Sequence, residues 1–252
     1  MTKWLGDFPF LRQQLSGLEI LAETYSTNDV LKSEALADYA AVLTDHQTAG
    51  RGRMGRTWVS APGHGLAFSL LIPGTSPSEQ SWLPLVAGAS VVKAMRAQGA
   101  VNAELKWPND VLVEERKISG ILCEVRPDGR VIVGIGVNVD YSTRGLPSED
   151  ATSLAEFGEV SPQSIDAFLA AVVSFLREFV ETPAPRALAL AKGSVEDVLA
   201  TLGREVSVHD LDGTVWSGVA HGLTDDGHLL VRESVTAGER IVVASDVRHL
   251  RQ

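Results

Sequence analysis

The stretch Ile118-Ser119-Gly120-Ile121-Leu122-Cys123-Glu124-Val125-Arg126-Pro127-Asp128-Gly129-Arg130-Val131-Ile132-Val133-Gly134-Ile135-Gly136-Val137-Asn138-Val139 decides the architecture. Two runs rich in β-branched residues, Ile118 to Val125 and Val131 to Val139, flank the turn residues Pro127-Asp128-Gly129 and read as a hairpin. Working outward, Glu104 to Trp107 with Val111 to Val113 adds another strand-like pair. Leu66 to Ile72, ended by Pro73-Gly74, is a further strand, as are Ala40 to Thr44 and Glu19 to Leu21. Helices are expected from Ser26-Thr27-Asn28 onward, with Val30, Leu31 and Leu36 following. Ser81 to Gln98 has helical spacing, and Ile165, Phe168, Leu169, Val172, Val173, Leu176 and Val180 form a stripe. Helices interspersed with adjacent hairpins predict an α+β fold, a mixed or antiparallel sheet with flanking helices.

Composition shifts near Leu202-Gly203. Beyond it only short strands appear, separated by Asp212-Gly213, Asp225-Asp226-Gly227 and Ala237-Gly238. That is the pattern of a small β-barrel. Two domains are therefore expected, 1–202 and 203–252.

The chain has 252 residues, 44% hydrophobic and 21% charged, values ordinary for a globular protein with a substantial core. A net charge of −10 opposes non-specific nucleic-acid binding. The terminal barrel carries five arginines, no lysine and eight acids, so it is a poor nucleic-acid reader as well. The single cysteine, Cys123, sits in an apolar run and reads as a buried thiol in a reducing compartment. The N-terminus lacks the apolar stretch of a signal peptide, and no run is long enough to span a bilayer. A cytoplasmic protein is expected, with no membrane partner. The histidines are scattered without metal-ligand spacing.

Chemistry concentrates in Gln47-Thr48-Ala49-Gly50-Arg51-Gly52-Arg53-Met54-Gly55-Arg56-Thr57-Trp58. From His46 to Ser78 there is no Asp or Glu, although the protein is acidic. Glycines let the backbone approach a ligand closely, and arginines supply forked donors for carboxylate or phosphate. The segment reads as a mobile loop closing over a small anion. A P-loop reading fails: Arg56 stands where its lysine belongs, and Trp58-Val59-Ser60-Ala61-Pro62-Gly63 does not open a helix.

Four further elements are weak alone. Lys106-Trp107-Pro108-Asn109-Asp110 combines a proline that fits a strand edge or bulge with two polar side chains, though a plain turn explains it too. In Arg116-Lys117-Ile118-Ser119-Gly120-Ile121-Leu122 a lysine stands at the mouth of a buried strand, or simply snorkels. Gly134-Ile135-Gly136-Val137-Asn138 places two glycines in an apolar strand, a sign of close approach or of a bulge. Ser26-Thr27-Asn28 offers three short polar side chains at a helix start, where plain capping is compatible with ligand recognition.

In their order and separations these elements resemble the biotin protein ligase family, from about Glu19 to Val139 and more weakly in the terminal barrel. Met54 stands where many members carry arginine, while Arg51 and Arg53 are retained. The resemblance implies a class II synthetase-like catalytic domain followed by an SH3-like barrel. With about eighteen residues before the first strand, the chain looks like the short class without a DNA-binding domain. It also implies two steps. Biotin and MgATP give biotinyl-5′-adenylate, and biotin then passes to a lysine of a carboxyl-carrier domain.

On that resemblance Ser26, Thr27, Asn28, Gln47, Arg51, Gly52, Arg53, Lys117 and Gly120 would surround biotin. Arg53, Trp58, Asn109, Lys117 and Asn138 would hold ATP, with magnesium accompanying it on unassigned residues. Arg53, Lys117 and Asp110 would carry the chemistry, Asp110 by orienting the acceptor amine. The protein would act as a monomer or weak homodimer. Physics asks for such cations independently: two like charges ~4 Å apart at an effective dielectric of ~20 repel by about 4 kcal/mol. A lipoate or octanoyl ligase of the same architecture is the nearest rival reading. A nucleic-acid module built on the arginine loop is a more distant one.

Overall fold

The computed structural model describes residues 4–33, 36–58, 61–100, 102–236, 238–243 and 245–250. Met1 to Lys3, Val59 and Ser60 behind the arginine loop, and Ala237 of the last expected turn lie outside these ranges.

A seven-stranded sheet forms the larger unit, in the order β1-β2-β3-β7-β6-β5-β4. Its strands are β1 (Gly17–Leu21), β2 (Ala40–Thr44), β3 (Gly65–Ile72), β4 (Ala103–Lys106), β5 (Asp110–Val113), β6 (Arg116–Val125) and β7 (Val131–Asn138). The hairpin read first in the sequence is β6–β7, at the middle of the sheet. Every pairing is antiparallel except β1 with β2, which the helix α2 (Thr27–Ser33) connects in parallel. The expected mixed sheet is present, with β4 at its edge, and Pro108 falls in the turn that joins β4 to β5, outside either strand.

Long helices cover one face. Helix α3 (Pro77–Ala97) packs against α4 (Pro162–Glu181) and α5 (Arg186–Glu196), and the short α1 (Pro9–Arg12) lies on α4. Helix α3 starts a turn before the expected Ser81. Ser76 accepts from the Glu79 amide while the Glu79 carboxylate accepts from the Ser76 amide, and Pro77 occupies the first turn. Helices α1 and α5 were not anticipated. Phe68, Leu83, Val92, Ile121, Phe168 and Leu176 belong to the core on this side.

The opposite face decides where a ligand can sit. Side chains two apart along a strand share a face, and register aligns them across strands. The cross-strand row Leu71–Ile132–Glu124 lies beside row Ser69–Gly134–Leu122, and then row Ala67–Gly136–Gly120. Leu31 of α2 packs on Val42, Leu71 and Ile132 as a small separate core. Beyond it the rows turn small, leaving a shelf that α2 covers only with its first turn.

The C-terminal unit is a five-stranded antiparallel sheet, ordered β11-β10-β9-β8-β12, the small SH3-like domain expected. It comprises β8 (Glu205–His209), β9 (Val215–Leu223), β10 (Leu229–Glu233), β11 (Glu239–Val242) and β12 (Asp246–His249). Two indoles hook its β9–β10 turn: Trp82 donates to Asp225 O at 2.8 Å and Trp107 donates to Gly227 O at 3.1 Å. Arg204 pairs with Glu115 at 2.5 Å and completes the docking.

Candidate active site

Two confluent cavities lie on this shelf. The inner one is lined by Ser26, Thr27, Asn28, Gln47, Arg51, Gly52, Trp58, Gly120, Gly134 and Gly136 among others. The outer one is lined by Lys106, Glu115, Asp150, Asp246, Arg248 and His249 among others. Arg53, Arg56, Asn109, Asp110 and Lys117 line both. The join between the cavities is therefore the most cationic part of the shelf.

The glycines of β6 and β7 matter because other groups occupy the place of their side chains. A Cβ on Gly134 would fall 2.3 Å from Asn28 Oδ1. The Trp58 indole lies over Gly136 and Gly120. At the inner end, Ser69 Oγ is 2.6 Å from Asn28 Oδ1 and 2.7 Å from Thr27 Oγ1. Gln47 Oε1 accepts from the Thr27 amide at 2.8 Å. Thr27, Asn28 and Ser69 are all buried. Buried polar groups held this firmly present a fixed pattern of donors and acceptors.

At the join, Lys117 Nζ lies 2.6 Å from Asp110 Oδ1 and 5.7 Å from the Trp58 ring. Asn109 donates to Ile121 O at 2.7 Å, which fixes the turn before Asp110. Arg53 is held below its ordinary pKa by burial, against the pull of Asp110 and Asp246. Arg56 pairs with Asp246 of the C-terminal sheet at 2.8 Å, so the loop and the small domain meet across the outer cavity. Burial, helped by the charges of Lys106 and Arg204, lowers His249 to about 4 and keeps it neutral. Lys106 is lowered as well, chiefly by burial.

Of the residues singled out in the sequence, Ser26, Thr27, Asn28, Gln47, Arg51, Gly52, Arg53, Trp58, Asn109, Asp110, Lys117 and Gly120 all line these cavities. Asn138 does not. It is buried, donates to Thr152 O at 2.9 Å and Lys117 O at 3.3 Å, and lines neither cavity. Its amide holds the Lys117 backbone from behind the cavities. Arg51 lines the inner cavity and is also tied back to α2. Its guanidinium is bidentate on Asp29 at 2.5 and 2.6 Å, with Glu124 at 3.4 Å. His46 faces Glu23, and His64 Nδ1 contacts Asp140 O. Cys123 is pushed by burial to about 12, an inert structural thiol.

Sequence reading missed Glu124, Asp29 and Asp246. Glu124 was within reach, because counting by twos from Gly120 and Leu122 puts it on the shelf side of β6. Asp246 carried no local signal. Its approach to Arg56 depends on how the two units dock.

The fold and the site together define a ligand-binding α+β domain of the class described by the Biotin/lipoate A/B protein ligase family, whose model matches residues 20–141. The Biotin protein ligase C terminal domain model matches residues 201–249. A biotin--[acetyl-CoA-carboxylase] ligase of Mycobacterium tuberculosis is 33% identical over 96% of this chain and 94% of its own length. One from Paracoccus denitrificans is 30% identical over 90% of this chain and 98% of its own. The solved biotin protein ligase from Aquifex aeolicus in complex with biotin and ATP superposes with a TM-score of 0.77 at 33% identity, covering 94% of this chain and 100% of that one. The chain belongs to the biotin protein ligase family.

Proposed function

We propose that this protein is an ATP-dependent ligase that forms biotinyl-5′-AMP and transfers the biotinyl group to a lysine of a biotin carboxyl-carrier domain. The observation that carries this reading is the junction of the cavities. A narrow, glycine-floored pocket ending in fixed polar groups opens, through Arg53 and Lys117, into a wider charged cavity. A bicyclic acid fits the first and a nucleotide the second, with their reactive groups meeting at the cations.

In the first step a carboxylate oxygen of biotin bonds to the α-phosphorus, and the bond to pyrophosphate breaks. Arg53 and Lys117 offset the repulsion between the two anions and the charge gathering on the phosphoryl oxygens. Asp110, paired with Lys117, fixes the ammonium in place. No enzyme nucleophile is required. In the second step the acceptor amine attacks the acyl carbon and AMP leaves. Asp110 is the carboxylate nearest the join that can orient that amine or take its proton. The segment from Gly50 to Trp58 covers the mixed anhydride and keeps water from it.

Magnesium would accompany ATP and offset the charge of its phosphates. Among the described residues no three His, Cys, Asp or Glu side chains converge on one point. The protein works as a monomer or weak homodimer in the cytoplasm. Among the described residues no helix is long and apolar enough to cross a membrane.

Incubation with biotin, MgATP and a carrier domain, followed by mass spectrometry, tests the reading. One biotinyl increment on a single carrier lysine is expected, and an unmodified carrier overturns it. Pyrophosphate exchange driven by lipoate but not biotin would assign the enzyme to the lipoate-type alternative.

A further inference from the structure

One side chain beyond the cavity lining touches the polar groups of the inner pocket. Glu124 sits on β6 behind Asn28, Lys32 and Arg51. Its Oε2 accepts from Asn28 Nδ2 at 2.7 Å, and its Oε1 lies 2.6 Å from Lys32 Nζ. It belongs to none of the elements that announced the site in the sequence.

The hydrogen-bond directions follow from counting donors and acceptors. An ionised Glu124 only accepts, and so does the Leu122 carbonyl 3.3 Å from Asn28 Nδ2. Both acceptors lie on one side of the Asn28 amide, so its NH2 must face them and its oxygen must face Ser69. The Ser69 hydroxyl then spends its only proton on Asn28 Oδ1 at 2.6 Å. Thr27 Oγ1 is left with two acceptors within reach, Ser69 Oγ at 2.7 Å and Gln47 Oε1 at 3.1 Å. Its proton goes to one of them, and toward the cavity Thr27 offers lone pairs only. Asn28, Ser69 and Thr27 are buried, which strengthens the hydrogen bonds of the chain.

We propose that Glu124 is a positioning residue that polarises the relay Asn28–Ser69–Thr27, so that the inner pocket accepts hydrogen bonds and selects the N–H edge of a cyclic urea. This deepens, and rests on, the biotin ligase reading, since the bicycle of biotin carries such a urea. Glu124 stays ionised where it sits. Burial pushes its carboxyl up, but Lys32, Asn28 and Arg51 outweigh that and keep it below the usual range.

The test is steady-state pyrophosphate exchange on Glu124→Gln, which preserves shape but lets residue 124 donate, so the relay loses its single direction. The biotin KM is expected to rise at least tenfold, with kcat and the ATP KM within twofold of wild type. Lys32→Gln removes the ion pair that helps keep Glu124 ionised but leaves the Glu124 oxygen on Asn28 in place, and should raise the biotin KM less than Glu124→Gln does. Ser69→Ala cuts the relay in the middle and should reproduce the biotin-specific rise, which keeps the proposal exposed if Glu124→Gln does not fold. An unchanged biotin KM in a folded Glu124→Gln or in Ser69→Ala overturns the relay. So does an equal rise in the ATP KM, which would mark a general distortion. Wild-type protein that shows no biotin-dependent exchange at all overturns the ligase reading itself, and the relay with it.

Discussion

The Trp58 indole fills the space that a side chain at residue 136 would need: a Cβ on Gly136 would fall 2.3 Å from Trp58 Cε2. Loop and sheet therefore meet without any intervening side chain, and the floor of the site is set by what β7 lacks. Gly136→Ala must push the indole off the shelf. Because a flexible loop can give way, the expected stability loss is small, about 1 kcal/mol. Biotin affinity is expected to fall at least tenfold. Calorimetric titration beside a thermal melt checks both, and unchanged affinity would show that Trp58 does not shape the pocket.

Lys117 is positioned by Asp110 at the join of the cavities, and its side chain is 36% exposed, so its removal should not harm the fold. Lys117→Ala is expected to slow single-turnover adenylation by a hundredfold or more, equivalent to about 3 kcal/mol of lost transition-state stabilisation. An effect within threefold would remove Lys117 from the chemistry.

Asp166 of α4 is buried and accepts from the Phe10 amide at 3.0 Å and the Leu11 amide at 2.8 Å. These are amides of the first turn of α1, which no side chain of its own caps. Asp166→Ala leaves them without an acceptor and is expected to cost about 1–3 kcal/mol. Urea denaturation should register the loss, and a midpoint equal to wild type would mean that α1 contributes nothing to stability.

His249 gives the protein a pH signature. Its folded pKa is about 4, lowered mainly by burial and further by Lys106 and Arg204, against an ordinary 6.5. Between those values the unfolded chain binds a proton that the folded chain refuses, so stability falls as pH drops from about 6.5 toward 4 and levels off below. His249→Gln should flatten that part of the melting-temperature profile. A mutant profile parallel to wild type would assign the acid sensitivity to other groups.

Much of the fold could be read from residue order. Strands β2, β3, β6 and β7 announced themselves by apolar runs, and α4 by its stripe, because burial forces those periods. Helix α5 did not. It buries Ala187, Ala191 and Val195, residues too small to raise a hydrophobic signal, and it follows Pro183 and Pro185. The parallel pairing of β1 with β2 was equally hidden, since register and direction depend on the α2 crossover. At the site, glycines and cations were legible as types. The bidentate hold of Asp29 on Arg51 was not, because it joins a loop to a helix 22 positions away.

By itself the sequence determined which side chains could line a pocket. Alternation along β6 and β7 puts Gly120, Gly134, Gly136 and Glu124 on one face, whatever their neighbours. Only the tertiary structure decided what that face does. Cross-strand register brings Ser69 beside Gly134, the first turn of α2 sets Asn28 over that glycine, and the C-terminal unit sets Asp246 against Arg56. Local chemistry is written in the order of residues, whereas contacts between distant segments exist only once packing has fixed register and docking.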